Sequence, residues 1–370
     1  MSDRNWGEAV VTNRERIIAT AQGKTTDRKP LFFYFGPWGE TIDRWRSEGK
    51  TIEDGPYGFA RAFGLDEGIR TAPVTLGYMP KFDYVELEDR GDRLLIRDWL
   101  GIVQLIRKDG ASIPHYIDYP VKSPEDWEKL KKERLQPDAP GRLDAEFDQW
   151  ARSAQESGAA IQVGSWPYGL FGTLRDMLGV ETLLMWFYDE PDTVSDMMST
   201  LTDLWISVYE QVAQRVQIDI LHIWEDMSGK TGSMISPKMV REFMCPNYRR
   251  IRDFADAHNI PIVGVDTDGD CSELIPLFMD AGINMLMPFE VQAGMDICKV
   301  AREFPELSIV GGFDKRTLWT GHEAIDREIE RIMPMFDKGV RYFVAPDHLI
   351  PPEVSLDNFE YFLDKVRPLL

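Results

Sequence analysis

The pattern that most constrains this chain is a repeated rhythm. A short apolar run ends in Gly or an acidic residue, a polar turn follows, and a stretch of helical period begins. The runs are LFFYFG (31–36), AAIQVGSW (159–166), DILHIWEDM (219–227), IPIVGVDTDGD (260–270), INMLMPFE (283–290), LSIVGGFD (307–314) and RYFVAPDH (341–348). Strands that are apolar on both faces and alternate with helices specify a parallel sheet covered by helices. Without a Gly-x-Gly-x-x-Gly turn among them, they favour a closed (β/α)8 TIM barrel, an α/β fold, over an open sheet. The second strand is placed in IRTAPVTLGYM (69–79). Phe82–Arg107 alternates and turns at Asp89–Asp92, which reads as a β-hairpin insertion (82–107). A helix is expected within 122–135, and Ser236 before Pro237 and Ser355 mark further helix starts. Asp270 and Glu273 have capping-box spacing, so Asp270 is read as a cap. An N-terminal helical extension completes a single domain over 1–370.

Charge narrows the function. Sixty-two acidic against 42 basic residues give a formal charge of −20, a surface that repels phosphate backbones and anionic membranes. Nucleic-acid and membrane partners are therefore not expected. No stretch approaches the roughly 18 apolar residues of a membrane span, and MSDRNWGEAVVTN has no apolar signal-peptide core. A cytoplasmic enzyme is the expectation. Cys245, Cys271 and Cys298 are too few and scattered for a disulfide framework or a paired-cysteine metal site.

In a barrel of this kind the active site lies at the carboxyl ends of the strands. Five consecutive runs end in acids there: Glu225-Asp226, Asp266 and Asp268, Glu290, Asp314, and Asp347 followed by His348. Gathering carboxylates in a cleft is costly unless a cation or shared protons compensate, and a divalent metal is the simplest compensation. Each acid also has a bland reading as a helix cap or ion-pair partner; Lys315 and Arg316 stand beside Asp314. His348 is the best single candidate for a metal ligand or acid/base group, whereas His222, inside LHIW, reads as packed or hydrogen-bonded. Phe35, Trp38, Trp166, Tyr168, Trp224 and Phe289 fall on the same side, as loop filler or as the wall of a pocket for a flat organic molecule.

RERIIATAQGKTTDRKPLFFYFGPW, IWEDM with ISPKMVREFMCPNYRRI, VDTDGDCSELIPLFMDAGINMLMPFE, GGFDKR and APDHLIPPEVSLDNF resemble the uroporphyrinogen decarboxylase superfamily over essentially the whole chain. The resemblance implies one barrel domain of that type. It also implies one of two chemistries: cofactor-free decarboxylation, or zinc-dependent methyl transfer with a cobalamin-carrying protein. The decarboxylases carry an arginine-rich loop after the first strand; here FGPWGETIDRW stands in its place, which argues against a polyanionic porphyrinogen. Against the zinc methyltransferases, Asp266 and Asp268 match the His-x-Cys pair, His348 the final Cys, and Glu225 the acid. The implied metal ligands are thus Glu225, Asp266 or Asp268, and His348, a harder set suited to an oxygen leaving group.

The resulting expectation is an O-demethylating methyltransferase. It would move a methyl group from a small methylated compound, a methoxylated aromatic being favoured, to the cob(I)alamin of a corrinoid protein, with zinc polarising the departing oxygen. Glu225, Asp268, Glu290 and Asp314 are the catalytic candidates. The aromatic residues wall the substrate ring, and Arg316 is a candidate for a substrate carboxylate or an ion pair with Asp314. The resemblance also admits a homodimer. A metal-independent decarboxylase or lyase and a non-catalytic binding protein are the competing readings.

Overall fold

The structure is a computed structural model that describes residues 11–110 and 114–370. After strand β1 (Ile69–Thr71) comes a separate antiparallel sheet of β2 (Val85–Asp89), β3 (Arg93–Arg97), β4 (Val103–Arg107) and β5 (His115–Asp118). Next come β6 (Ala160–Val163), β7 (Ile220–Trp224), a two-stranded ribbon of β8 (Ser228–Gly229) and β9 (Gly232–Ser233), then β10 (Ile262–Asp266), β11 (Met285–Met287), β12 (Ser308–Val310) and β13 (Tyr342–Phe343). Parallel pairing in the order β1-β6-β7-β10-β11-β12-β13 makes one curled seven-stranded sheet, with helices packed on its outside. This is the barrel-like α/β architecture that the rhythm predicts. Among the described residues no helix is long and apolar enough to cross a membrane, and the three cysteines are buried free thiols.

Period-two alternation sets the inner face. Phe32, Ala160, Ile220, Ile262, Met285, Val310 and Phe343 meet inside the sheet. The helix Asn13–Ala21, started by a Thr12–Glu15 capping box, adds Ile17 and Ala21 to this cluster, and Ser308 Oγ donates to the Ala21 carbonyl at 3.2 Å. It closes the amino end of the barrel. The register Gly264↔His222 and Asp266↔Trp224 places the β7 and β10 ends side by side at the opposite, open end.

Three expectations need correction. Residues 31–36 occupy the first-strand place but form no ladder. Leu31 and Asp66 exchange hydrogen bonds of 2.8 and 2.9 Å at the lower end, and Pro37 bridges Ile350 at the upper end. Between them, no backbone hydrogen bond joins 32–35 to β1 among the described residues. Phe33 turns outward onto Phe359 and Phe362, so aromatic packing holds the segment where a ladder does not. The second strand falls inside 69–79 but is only Ile69–Thr71.

The insertion is larger than a hairpin. The turn after Asp89 is present, but Asp98 closes another by accepting from Leu100 N and Ile102 N at 2.9 Å, so the sheet has four strands and runs to Asp118. The third correction concerns Asp270, which accepts from Ser272 N in a short turn; the helix begins later, at Ile275, so Cys271 precedes it. The Ser236 and Ser355 caps form, accepting from Met239 N and Asn358 N, and Ser123 caps the helix Pro124–Arg134.

Candidate functional site at the barrel mouth

The rim acids have two fates, decided by which backbone donors the neighbouring helix starts present. Glu225 is fully buried and its carboxylate accepts from Leu170 N (3.0 Å), Phe171 N (2.6 Å), Gly172 N (3.4 Å) and the Tyr248 hydroxyl (2.6 Å). It caps the helix Leu170–Leu178, whose positive end attracts an anion. The approach is so close that a Cβ on Gly169 or Gly172 would sit 1.7 or 2.6 Å from the Trp224 carbonyl oxygen, so only glycine fits there. Asp314 caps the helix Lys315–Thr320 and binds Arg316 through both carboxylate oxygens. Burial pushes its pKa up, but the Arg316 bonds outweigh this and hold it below the usual carboxylate value. Asp347 accepts from Lys315 N and Val291 N, and Glu290 from Gly269 N at 3.0 Å. These acids brace loops. Glu225, Glu290, Asp314 and Arg316, the expected catalytic and substrate-binding candidates, are thus each already hydrogen-bonded or ion-paired.

Asp266, Asp268 and His348 do face the mouth. His348 Nε2 lies 3.6 Å from Asp268 Oδ2, and its ring stacks on Phe35 at 5.1 Å. Asp266 is buried, and burial, reinforced by the nearby Asp268 and Asp226 charges, raises its pKa well above the carboxylate range. Below it lies a group that sequence reasoning passed over as packing. His222 is 3% exposed, neither ring nitrogen has a hydrogen-bond partner, and Nε2 is 3.7 Å from Asp266 Oδ2. Burial lowers its pKa to about 4, so the ring is neutral. Tyr34 stacks on His222 at 5.5 Å, and its hydroxyl donates to Gln162. Tyr34 and Gln162 carried no motif; their inward phase on the 31–36 run and β6 was the available signal.

The expected metal set does not form. Glu225 is taken by the helix cap, and the remaining donors occur as the pairs His222–Asp266 and His348–Asp268. Among the described residues no three His, Cys, Asp or Glu side chains converge to hold an ion. The residues present do not fit a zinc centre of the kind expected.

Of the aromatic wall, Phe35, Trp38, Trp166 and Trp224 stand at the mouth. Trp166 is 56% exposed and makes edge contacts with Trp99 at 5.8 Å and Trp224 at 6.4 Å. Trp99, from the inserted sheet, was not foreseen. Arg175 lies over the Trp224 ring at 5.0 Å and binds Asp226 at 2.8 Å. Tyr168 and Phe289 belong elsewhere. Tyr168 packs against Gly77 and Leu100 beneath the inserted sheet, and Phe289 is 2% exposed in the core between sheet and helices.

Residues 92–369 match the protein family described as Uroporphyrinogen decarboxylase (URO-D). A curated "Uroporphyrinogen decarboxylase" from Rhodococcus erythropolis is 26% identical over 160 residues; the chain spans 41% of that relative's length, and 41% of the chain is covered. Among solved structures, a methyltransferase from Methanosarcina mazei superposes with a TM-score of 0.63 at 17% identity, covering 96% of this chain and 98% of that one, a likeness of fold.

Proposed function

The chain belongs to the uroporphyrinogen decarboxylase family, and from that premise we propose that it is a methyltransferase that demethylates a small uncharged substrate, with a methoxylated aromatic favoured. The observation that carries this reading is the charge of the mouth. It sets Asp266 beside His222 and Asp268 beside His348 inside an aromatic rim, while Arg175 and Arg316 are already bound to Asp226 and Asp314. A polyanionic porphyrinogen would find both of these guanidiniums already engaged. The fold shared with a methyltransferase lends further support.

Cob(I)alamin presented by a corrinoid protein would supply the nucleophile that takes the methyl group. This chain's residues do the rest. Trp166 and Trp224 hold the ring by its faces and edges, and Phe35 keeps His348 in place. Asp266, held protonated by burial, donates its proton to the departing ether oxygen, which leaves as a neutral phenol. His222, neutral beneath it, offers a partner to the resulting carboxylate. No step here is assigned to a metal, because Glu225 is committed to its helix.

The test is spectroscopic. Cob(I)alamin with the protein and a panel of methoxybenzenes should convert to methylcobalamin, and Asp266→Asn should slow this at least a hundredfold. Failure to methylate cobalamin with any member of the panel, together with CO2 release from an aromatic acid, would replace the reading with a decarboxylase.

A further inference from the structure

The missing ladder between residues 32–35 and β1 leaves an opening in the barrel wall. It holds a cavity of about 200 Å³. Phe33, Tyr57 and Phe59 form its outer part, and Tyr34, Thr71 and Gln162 its inner end. We propose that this crevice takes up the uncharged aromatic methyl donor from the side of the barrel, before the ring reaches Trp166 and Trp224 at the mouth. The proposal rests on the methyl-transfer reading above.

Size, charge and position each bear on it. An apolar cavity of about 150 Å³ is enough for benzene, so this one accepts a ring with a methoxy group. Among the described residues the lining holds no Lys or Arg, and the Arg70 guanidinium covers the Tyr57 ring at 4.9 Å. Its two carboxylates are engaged, Asp66 with Arg28 at 2.6 Å and Glu67 with Arg70 at 3.4 Å. A carboxylated ring would therefore meet two carboxylates whose arginine partners are already engaged, whereas a neutral ring meets aromatic faces. Both backbone edges of the opening are unpaired by a ladder, so polar substituents find N–H and C=O groups to bond. At the inner end Thr71 Oγ accepts from the Gln162 amide at 3.4 Å, and Gln162 accepts from Tyr34.

The far side of the Tyr34 ring is His222, and His222 is 3.7 Å from Asp266. Two stacked rings, Tyr34 and His222, thus separate the crevice from the proton donor. A side route also resolves a geometric conflict, since a corrin placed over the mouth closes the axial path to a substrate.

Crystals of the full chain soaked in 4-bromoanisole and, separately, in 4-bromobenzoate test the assignment through bromine anomalous scattering. The anisole bromine should appear between Phe33 and Thr71, with no benzoate peak there. Ala60→Trp, which fills the outer crevice, should remove the peak and lower kcat/KM for methoxybenzene at least tenfold with kcat within twofold. Thr71→Phe serves the same purpose should the first variant fail to fold. Bromine at the mouth alone, equal benzoate occupancy, or unchanged kcat/KM in a folded plugged variant overturns the proposal. The anomalous measurement uses no corrinoid. A bromine peak in the crevice without cobalamin methylation would sink the methyl-transfer reading and keep the site.

Discussion

Glu225 separates two accounts of this barrel. As a metal ligand its loss would empty a site and leave the fold intact; as the cap of Leu170–Leu178 its loss would weaken the fold. Glu225→Ala leaves three backbone N–H groups and the Tyr248 hydroxyl without their acceptor. Losing a cap costs about 1–2 kcal/mol and stranding a buried hydroxyl about 1–3 kcal/mol, partly offset by relief of a buried carboxylate. The net expected loss is about 3 kcal/mol. Glu225→Gln keeps the shape and one acceptor oxygen, so it should cost about half as much. Urea denaturation followed by far-UV circular dichroism and tryptophan fluorescence measures both, beside zinc titrations of the folded variants. A Glu225→Ala protein within about 0.5 kcal/mol of wild type that has lost stoichiometric zinc binding would refute the capping argument and restore the ligand.

Other consequences follow from the same geometry. His222, with a folded pKa of about 4 against roughly 6.5 unfolded, favours the native state fully above pH 6.5 and loses that contribution as pH falls toward 4. His222→Phe, which keeps the ring against Tyr34, should remove up to about 3 kcal/mol of acid-side destabilisation in chemical denaturation at pH 7 and 4.5; equal pH slopes for the two proteins would contradict the assignment. Asp314, held low by Arg316 against burial, contributes stability above the ordinary carboxylate pKa that disappears as pH drops through its lowered value. Asp314→Asn should therefore flatten the stability curve below pH 4, and an unchanged curve would count against the pair. Because the Asp266 pKa is raised, methylation of cob(I)alamin should fall as pH rises through that value, and a pH-independent rate would exclude it as the proton donor. Gly169→Ala places a methyl 1.7 Å from a carbonyl oxygen and should cost about 3 kcal/mol or more, read as lost soluble yield or a lowered urea midpoint.

The barrel was legible because burial on both strand faces writes long apolar runs, and β6, β7 and β10 fall within them. The 31–36 run shows the limit of that signal. Its alternation correctly turns Phe32 and Tyr34 inward, yet apolar pattern does not encode whether a backbone edge finds a ladder partner. The four-stranded sheet was read as a hairpin because β5, HYID, is exposed and lacks alternation. At the mouth, spacing located the acids but not their partners. Glu225 and Asp266 look alike in sequence; one faces a helix start and the other a buried imidazole. His222 was missed because an apolar neighbourhood usually satisfies a histidine, and only coordinates reveal two unpartnered nitrogens.

The helix Asn13–Ala21 also has a bearing on assembly. Ile17 and Ala21 share one inner cluster with Phe343, more than 300 residues later. Water can leave the barrel interior only when the first helix and β13 are both present, so growing chains keep a wet, incomplete core until β13 has been made. The last-formed contacts therefore lie at the end opposite the barrel mouth, where loss of the first helix would be felt as slow folding before any change at the mouth.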